Sequence, residues 1–428
     1  MSNDLTSTDL TGRISEPQPP TLREYLGVSL YWFALSFFWG SMLVLILPYR
    51  VEEIVGPAEK DRALGLILAS GAAVAGITQI LSGAISDIFG SRWGQRRPYL
   101  LVGTVCGSAA LLFFPAAQTI PSLLAVYIAI QFLLNIAIGP YQALIPDRIP
   151  LAYHGRASAF MGVWSLLGRI GGPYVATKFL GNDGGLLKAA LLFIVMLNAF
   201  MLANVLLIKE PPSPRPHGSV GDHIRNIFDV PLRPYMSFVW IMISRFGIMM
   251  GFYTVVSFLL YYIKYTLGVD ENDAMKVLSL FMVISTVSGI LGVIPAGHFS
   301  DRFSKKNVLF VSNGICILAA LGFLMSKSLT PAYVAVGFFG VGFGAFMAVD
   351  WALGCNLLPE QAKAKYLGIW GLSDTVPQIV APLIAGPVAY IVNKSEQGLG
   401  YRALMIIAIV YYSLGTLALT QVKERSTS

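Results

Sequence analysis

The most regular feature of the chain is a succession of long apolar stretches separated by shorter polar ones. A helix needs about 20 mostly apolar residues to cross a hydrocarbon core about 30 Å thick, and we count twelve such stretches. They cover residues 25–47, 63–86, 98–116, 121–146, 157–178, 186–208, 235–263, 274–298, 307–326, 331–354, 365–392 and 401–420. The pattern predicts an all-α polytopic membrane protein with twelve transmembrane helices, which we call spans 1 to 12.

The composition supports this prediction and excludes other classes of protein. Of the 428 residues 55% are hydrophobic and only 12% are charged, whereas about 25% of the residues in a soluble domain are charged. The three cysteines, Cys106, Cys316 and Cys355, lie far apart in apolar stretches, so we expect no disulfide, no metal site and no cofactor. The sequence has no P-loop, GxSxG or HExxH motif. We therefore expect neither an enzyme nor an ATP-driven pump.

The basic residues set the orientation of the spans. Nucleic-acid binding would gather them into one stripe, but the 30 Lys and Arg residues stand in small groups between apolar runs, so no nucleic-acid partner is expected. Eighteen of them lie in the tails and even-numbered loops, ten in the odd-numbered loops and two within spans. The positive-inside rule then places both termini in the cytoplasm. We expect a multi-pass protein of the inner or plasma membrane.

A proline-rich interruption divides the spans six and six. It runs from Lys209 to Arg233 and contains five prolines, which no continuous helix tolerates. The predicted organisation is a disordered cytoplasmic tail (1–22), an N-terminal six-helix half (23–208), a cytoplasmic linker (209–233), a C-terminal six-helix half (234–421) and a cytoplasmic tail (422–428).

Three short sequences recur about half a chain later and support this division. Gly83-Ala-Ile-Ser-Asp87 recurs as Gly297-His-Phe-Ser-Asp301, Leu144-Ile-Pro-Asp147 as Leu357-Leu-Pro-Glu360, and Phe160-Met-Gly-Val-Trp164 as Tyr366-Leu-Gly-Ile-Trp370. Three matches in the same order indicate two halves that are related by a parallel repeat.

The loop after span 2 resembles the signature of the major facilitator superfamily. The matching residues are Gly83, Asp87, Arg92, Arg96 and Arg97. The segments Ser91–Pro98 and Gly139–Leu144 are similar to the sucrose:proton symporter branch and its glycoside-pentoside-hexuronide relatives. The resemblance implies two six-helix halves that rock around a mid-membrane site, with a sugar moved together with a proton. In the plant sucrose carriers span 4 carries an Asp and an Arg where this chain has Gln131 and Gln142, whereas Asn135 is retained.

Four charged residues lie well inside spans, where each costs about 2.5–3.5 kcal/mol unless it is paired or faces a cavity. They are Arg169, Arg245, Asp350 and Asp374. We assign proton coupling to Asp350 first, because its neighbours Ala348, Val349 and Trp351 are apolar, and to Asp374 second. The alternative is that fixed ion pairs set the packing of the helices.

Polar residues at helical spacing predict a pathway for substrate. Gln131, Asn135 and Gln142 fall on one helical face, as do Trp370, Asp374 and Gln378. Amides, an Arg fork and indole rings suit a neutral polyol such as a sugar. The alternative is that the amides only join helix to helix. The predicted pathway residues are Trp39, Gln131, Asn135, Gln142, Arg169, Arg245, Trp351, Trp370 and Gln378.

The even-numbered loops supply a candidate cytoplasmic gate, in which charged pairs fix one half against the other while the site is open to the outside. Its members are Gly83, Asp87, Arg92, Arg96, Arg97, Asp147, Arg156, Asp301, Arg302 and Glu360. The alternative is an ordinary solvated loop. The combined hypothesis is a monomeric secondary transporter whose partners are the lipid bilayer, a proton and a small molecule, preferably a sugar or glycoside. An exporter of amphipathic compounds is the first alternative, and a non-transporting membrane sensor or scaffold is the second.

Overall fold

The computed structural model describes residues 19–89, 91, 93–150, 153–180, 183–208, 210, 233–357 and 369–423. The described chain is all-helical, and its longer helices form twelve spans, as predicted. The α-helices are α1 (Leu22–Ser29), α2 (Tyr31–Ser41), α3 (Leu47–Ile88), α4 (Arg97–Leu111), α5 (Ile120–Gln142), α6 (Leu144–Arg148), α7 (His154–Ala176), α8 (Gly185–Leu207), α9 (Met236–Val256), α10 (Leu259–Tyr261), α11 (Glu271–Arg302), α12 (Lys305–Met325), α13 (Leu329–Asn356), α14 (Leu372–Asn393) and α15 (Leu399–Leu419). The interruption between the halves lies almost wholly outside the described residues.

The first loop differs from the sequence-based expectation. Helix α3 continues without a loop from the end of span 1 into span 2, and a π-helical turn, Met42–Ile46, precedes it. The helix bends at Gly56, which has φ 70° and ψ −177° and is followed by Pro57. Glycine adopts positive φ readily, and proline supplies no backbone N–H to bond the preceding turn. The segment expected to be a loop is therefore two helical arms that meet at Gly56.

The two halves repeat the same packing scheme. In the first half α3 and α4 pack on α5, α2 packs on α7, and α8 packs on both α2 and α4. In the second half α11 and α12 pack on α13, α9 packs on α14, and α15 packs on both α9 and α12. These pairs correspond span for span, as a parallel repeat requires. The halves meet where α3 packs on α14 and α7 on α11.

Glycine allows the helices α3 and α14 to approach closely. A Cβ atom on Gly65 would lie 2.5 Å from the carbonyl oxygen of Pro382, and one on Gly386 would lie 2.7 Å from that of Asp61. Both distances are shorter than any tolerable contact, and both neighbours are backbone atoms that cannot rotate away. Small residues at this seam are therefore a requirement of the interface between the halves.

We expect the Gly65→Ala variant to be destabilised by about 1–3 kcal/mol, because the added methyl group overpacks the seam. The measurement is the midpoint of thermal unfolding of the purified protein in detergent. Gly314→Ala is the matched control, since Gly314 is also helical but a Cβ there meets nothing within 4 Å. Equal midpoints for the two variants would contradict the role assigned to Gly65.

Candidate functional site

Two of the four charged residues inside the spans form a buried ion pair in the second half. Helix α9 carries Arg245 and α13 carries Asp350, and their side chains are only 8% and 1% exposed. The guanidinium of Arg245 also lies over the ring of Trp370, 5.1 Å from its centroid. The Oδ1 atom of Asp350 has no hydrogen-bond partner among the described residues. The pair neutralises both charges and leaves one carboxylate oxygen without a hydrogen-bond partner among the described residues.

The other two charged residues, Asp374 and Arg169, come from different halves. The hydroxyl of Tyr253 donates to Oδ1 of Asp374 at 3.4 Å, and the charges of Arg245 and Arg169 both act on this carboxylate. Arg169 is exposed on α7, and within the described chain neither Arg169 nor Asp374 forms an ion pair. The two opposite charges therefore lie on different halves, near enough for the charge of Arg169 to act on the Asp374 carboxylate.

A chain of hydrogen-bonded amides lies in the first half, on α3 and α5. Gln142 donates to Gln79 at 3.3 Å, Gln79 donates to Asn135 at 2.6 Å, and Asn135 donates to Gln131 at 3.0 Å. Gln131 donates to the hydroxyl of Tyr127 at 2.8 Å. Gln131 and Asn135 are buried, whereas Gln142 is exposed and Gln79 is half-buried. Gln79 was not singled out from the sequence, and its contacts show that it joins α3 to the polar face of α5.

The aromatic candidates divide into buried and accessible rings. Trp370 is only 3% exposed and lies two residues before the first residue of α14. It packs edge-on against Trp351, with 6.2 Å between ring centroids, and Trp351 is 48% exposed. Trp39 is half-buried against Phe38, and Gln378 is also half-buried. Trp370 thus holds Arg245 in place, and Trp351 is the more accessible indole.

Arg96 organises the face of the molecule that carries the even-numbered loops, which we call the even-loop face. Its guanidinium bonds Asp87 at 2.5 Å, Asp147 at 2.9 Å and the hydroxyl of Ser86. Its backbone N–H donates to Glu210 at 2.9 Å. Burial alone would lower the pKa of Arg96, but Asp147 and Asp87 outweigh that effect and raise it. The side-chain partners belong to the first half and Glu210 to the segment that follows it, so the network joins α3, α4 and α6 to the chain after α8.

Of the other predicted gate residues, Arg97 shares Glu210 with Arg96, because its backbone N–H donates to the same carboxylate at 3.3 Å. The contacts of the described residues bring none of the others into the Arg96 network. Arg156 lies over the ring of Tyr153 at 5.8 Å, Arg97 leaves its Nε atom unbonded within the described chain, Arg302 is exposed, and Gly83 has open space around it. Arg92, Glu360 and the side chain of Asp301 lie outside the description. A link between the halves through these residues stays a prediction for another state of the protein.

A second charged cluster lies on the opposite face, which carries the odd-numbered loops and which we call the odd-loop face. Glu52 of the first half accepts from Lys264 at 2.6 Å and from the hydroxyl of Tyr265, both of the second half. Lys60 is fully buried, and its ammonium lies 3.8 Å from the centroid of the Tyr265 ring. Such a contact between a desolvated cation and an aromatic ring contributes about 2 kcal/mol.

Asp61 adds two further bonds between the halves. It accepts from the Tyr401 hydroxyl at 2.7 Å and from the Asn393 amide at 2.8 Å. We call the seven residues that make these contacts the odd-loop latch; they are Glu52, Lys60, Asp61, Lys264, Tyr265, Asn393 and Tyr401. Among the described residues, every hydrogen bond between the halves lies on this face. The structure is therefore closed at the odd-loop face.

The latch was not predicted from the sequence, because the charges of the odd-numbered loops were used only to decide which side of the membrane each loop is on. The residues bonded across it are 212 to 340 positions apart, and no spacing rule connects them. The one available signal was the concentration of seven charged residues in a loop that was expected to be short; they are Arg50, Glu52, Glu53, Glu59, Lys60, Asp61 and Arg62.

Comparison with known proteins gives a consistent result. A family model described as Major Facilitator Superfamily matches residues 25–382. The inner membrane transport protein YdiN of Escherichia coli is 26% identical over 377 residues, which are 82% of this chain and 81% of that protein. The uncharacterized MFS-type transporter MJ1317 of Methanocaldococcus jannaschii is 21% identical over 353 residues, with 81% and 84% covered.

Solved structures show the same fold. A bacterial homolog of the human lysosomal transporter Spinster, in an inward-facing and occupied conformation, has a TM-score of 0.73 at 13% identity and covers 96% of this chain and 100% of that chain. A D-xylose-proton symporter has a TM-score of 0.64 at 17% identity, with 91% and 96% covered. At these identities the likeness shows the fold alone.

We expect Lys264→Met to favour opening at the odd-loop face, because removing one partner of a buried ion pair costs about 3 kcal/mol. The measurement is the distance between spin labels on cysteines that replace the exposed residues Ala58 and Gln397, in a chain whose natural cysteines are replaced. Lys276→Met is the control, because its pair with Asp273 is exposed and lies within one helix. An unchanged distance distribution in Lys264→Met would contradict the role of the latch.

Proposed function

Because the chain belongs to the major facilitator superfamily and is a multi-pass membrane transporter, we propose that it moves a sugar or glycoside together with a proton by alternating access. The halves would rock around the region that contains Arg245, Asp350, Asp374 and Arg169. The even-loop face would be cytoplasmic, as the distribution of Lys and Arg indicates. The described state would then be open, or ready to open, toward the cytoplasm.

The observation that carries proton coupling is the Arg245–Asp350 pair. While the pair is intact, the charge of Arg245 offsets that of the buried carboxylate. If a rocking motion draws α9 away from α13, the carboxylate loses its counter-charge in a place where an isolated charge is very costly. Uptake of a proton removes that cost. Separation of the pair and protonation of Asp350 would therefore occur together.

The cargo proposal rests on the polar groups near these charges. Gln142, Gln79 and Gln378 are each accessible enough to bond a solute, and amides both donate and accept. The hydroxyl of Tyr253 adds another polar group. A neutral polyol presents the same mixture of donors and acceptors. The similar fold of a D-xylose-proton symporter is compatible with this class of cargo.

An exporter of amphipathic compounds is the second candidate, favoured by one specific feature. The rings of Phe252 and Phe343 stack with centroids 4.6 Å apart, and Phe339 stacks on Phe343 at 5.4 Å. Half-buried phenylalanine rings accept varied apolar ligands. The neighbouring Met249 and Met250 are almost wholly buried, so they take no part in such a surface. A non-transporting sensor or scaffold is the third candidate and would need no titrating Asp350.

In proteoliposomes we expect a pH gradient to drive uptake of labelled sugars by the natural protein but not by Asp350→Asn. Exchange of labelled for unlabelled sugar at equal pH should persist in the variant, because exchange needs no net proton movement. Asp273→Asn, which alters an exposed carboxylate, is the control and should behave as the natural protein.

Different results separate the candidates. Gradient-driven uptake that survives in Asp350→Asn would remove the coupling assignment. Efflux of amphipathic dyes without any sugar uptake would favour the exporter, and the absence of both activities would favour the sensor.

A further inference from the structure

We propose that Arg169 and Asp374 hold the transported sugar from opposite sides, one from each half, and that Asp374 binds substrate rather than carrying the proton. The inference rests on the proposed function, since it names the residues that recognise the sugar. It assigns the two aspartates inside the spans different tasks. Asp350 would exchange the proton, and Asp374 would contact the cargo.

The two aspartates differ in how their side chains are paired. Asp350 is bonded directly to Arg245, whereas the one hydrogen bond to the side chain of Asp374 within the described chain is the long contact with Tyr253. Arg169 likewise has no bonded partner there, although its charge acts on both Asp374 and Tyr253. Two charges that served only to pack helices would pair with each other, because an unpaired charge at this depth is costly.

Asp374 and Arg169 both lie close to neighbouring helices at the centre of the molecule. Thr375, the next residue after Asp374, lies so close to the first half that a Cβ on Gly76 would be 2.8 Å from its methyl carbon. Arg169 lies against the backbone of α2, since a Cβ on Gly40 would be 3.4 Å from the Arg169 Cα atom. Asp374 on α14 and Arg169 on α7 therefore belong to two walls, one from each half. A solute between the walls can touch both.

The carboxylate of Asp374 and the guanidinium of Arg169 have complementary hydrogen-bonding chemistry. A carboxylate accepts hydrogen bonds from two neighbouring hydroxyl groups, and a guanidinium fork donates to hydroxyl oxygens. The ligand that meets both walls is a polyol with hydroxyl groups on two opposite edges. Asp374 lies in the first turn of α14, and its carboxylate has room to accept further hydrogen bonds because Tyr253 occupies only its Oδ1 atom.

A solute that contacts both walls would also affect how the halves move during transport. A solute that bonds to only one wall adds no attraction between the halves. A solute that bonds to Arg169 on one wall and Asp374 on the other draws the walls together at its own level. Binding would then favour closure around the cargo, and an empty site would lack that attraction.

The experiment measures sugar affinity and transport separately, with the full-length protein in nanodiscs and in proteoliposomes. The probes are a panel of monosaccharides and disaccharides, studied by calorimetry at constant pH. We expect Asp374→Asn and Arg169→Gln each to weaken binding about tenfold or more, because each leaves hydrogen bonds to a charged group unmade. Exchange at equal pH should weaken in parallel. Asp350→Asn should keep its affinity and lose only gradient-driven uptake.

Two further variants keep the test decisive. Arg62→Gln removes an exposed positive charge of α3 and should leave affinity unchanged. The double exchange Arg169→Asp with Asp374→Arg should not restore binding, because the asymmetric sugar would meet each group on the wrong edge. Restored binding would show a structural ion pair and overturn the proposal.

Other outcomes also count against it. If Asp374→Asn binds sugar normally but loses gradient-driven uptake, Asp374 is a proton carrier and the proposal fails. If the natural protein binds no sugar at all, the proposed function itself fails, which is a separate result. Asp374→Glu, which keeps the charge, checks that loss of binding does not reflect misfolding, and it should retain more affinity than Asp374→Asn.

Discussion

A charge inside the hydrocarbon core of a membrane must be neutralised or hydrated, and this constraint determines the centre of the molecule. Arg245 and Asp350 satisfy it by pairing with each other, with Trp370 packed on the guanidinium. The same constraint applies to Arg169 and Asp374, which do not pair directly and must be served by something in the gap between the halves. Water can do this in an empty site, and a polar solute can do it in an occupied one. The electrostatics of four side chains thus connects the resting architecture with the binding of cargo.

The fold was largely accessible from the sequence because its determinants are local. A run of about 20 apolar residues is visible without any tertiary information, and twelve such runs predict the twelve-span architecture. The bend at Gly56 was missed, since a positive φ has no apolar signature and the surrounding charges looked like a loop. The stripe of Gln131, Asn135 and Gln142 followed from helical periodicity, but periodicity could not reveal Gln79 on another helix.

The contacts that join distant segments were beyond the sequence. Nothing in the spacing of Arg245 and Asp350, which are 105 residues apart, selects that pair over the other possible combinations of the four charges. Trp370 was expected to line the substrate pathway, and nothing in the sequence indicated that its ring also packs on the guanidinium of Arg245. The charged residues of the odd-numbered loops were informative as a count but not as partners. Pairing energies depend on three-dimensional distance, and a single sequence holds no record of it.

The bend at Gly56 divides the odd-loop latch into two mechanical parts. Glu52 lies on the arm before the bend and moves with span 1, whereas Lys60 and Asp61 lie on the arm after it and move with span 2. The bonds of Glu52 can therefore break while those of Asp61 remain, so the face can unzip in two stages. Each step then breaks only part of the latch, so no single step has to break all of its bonds at once.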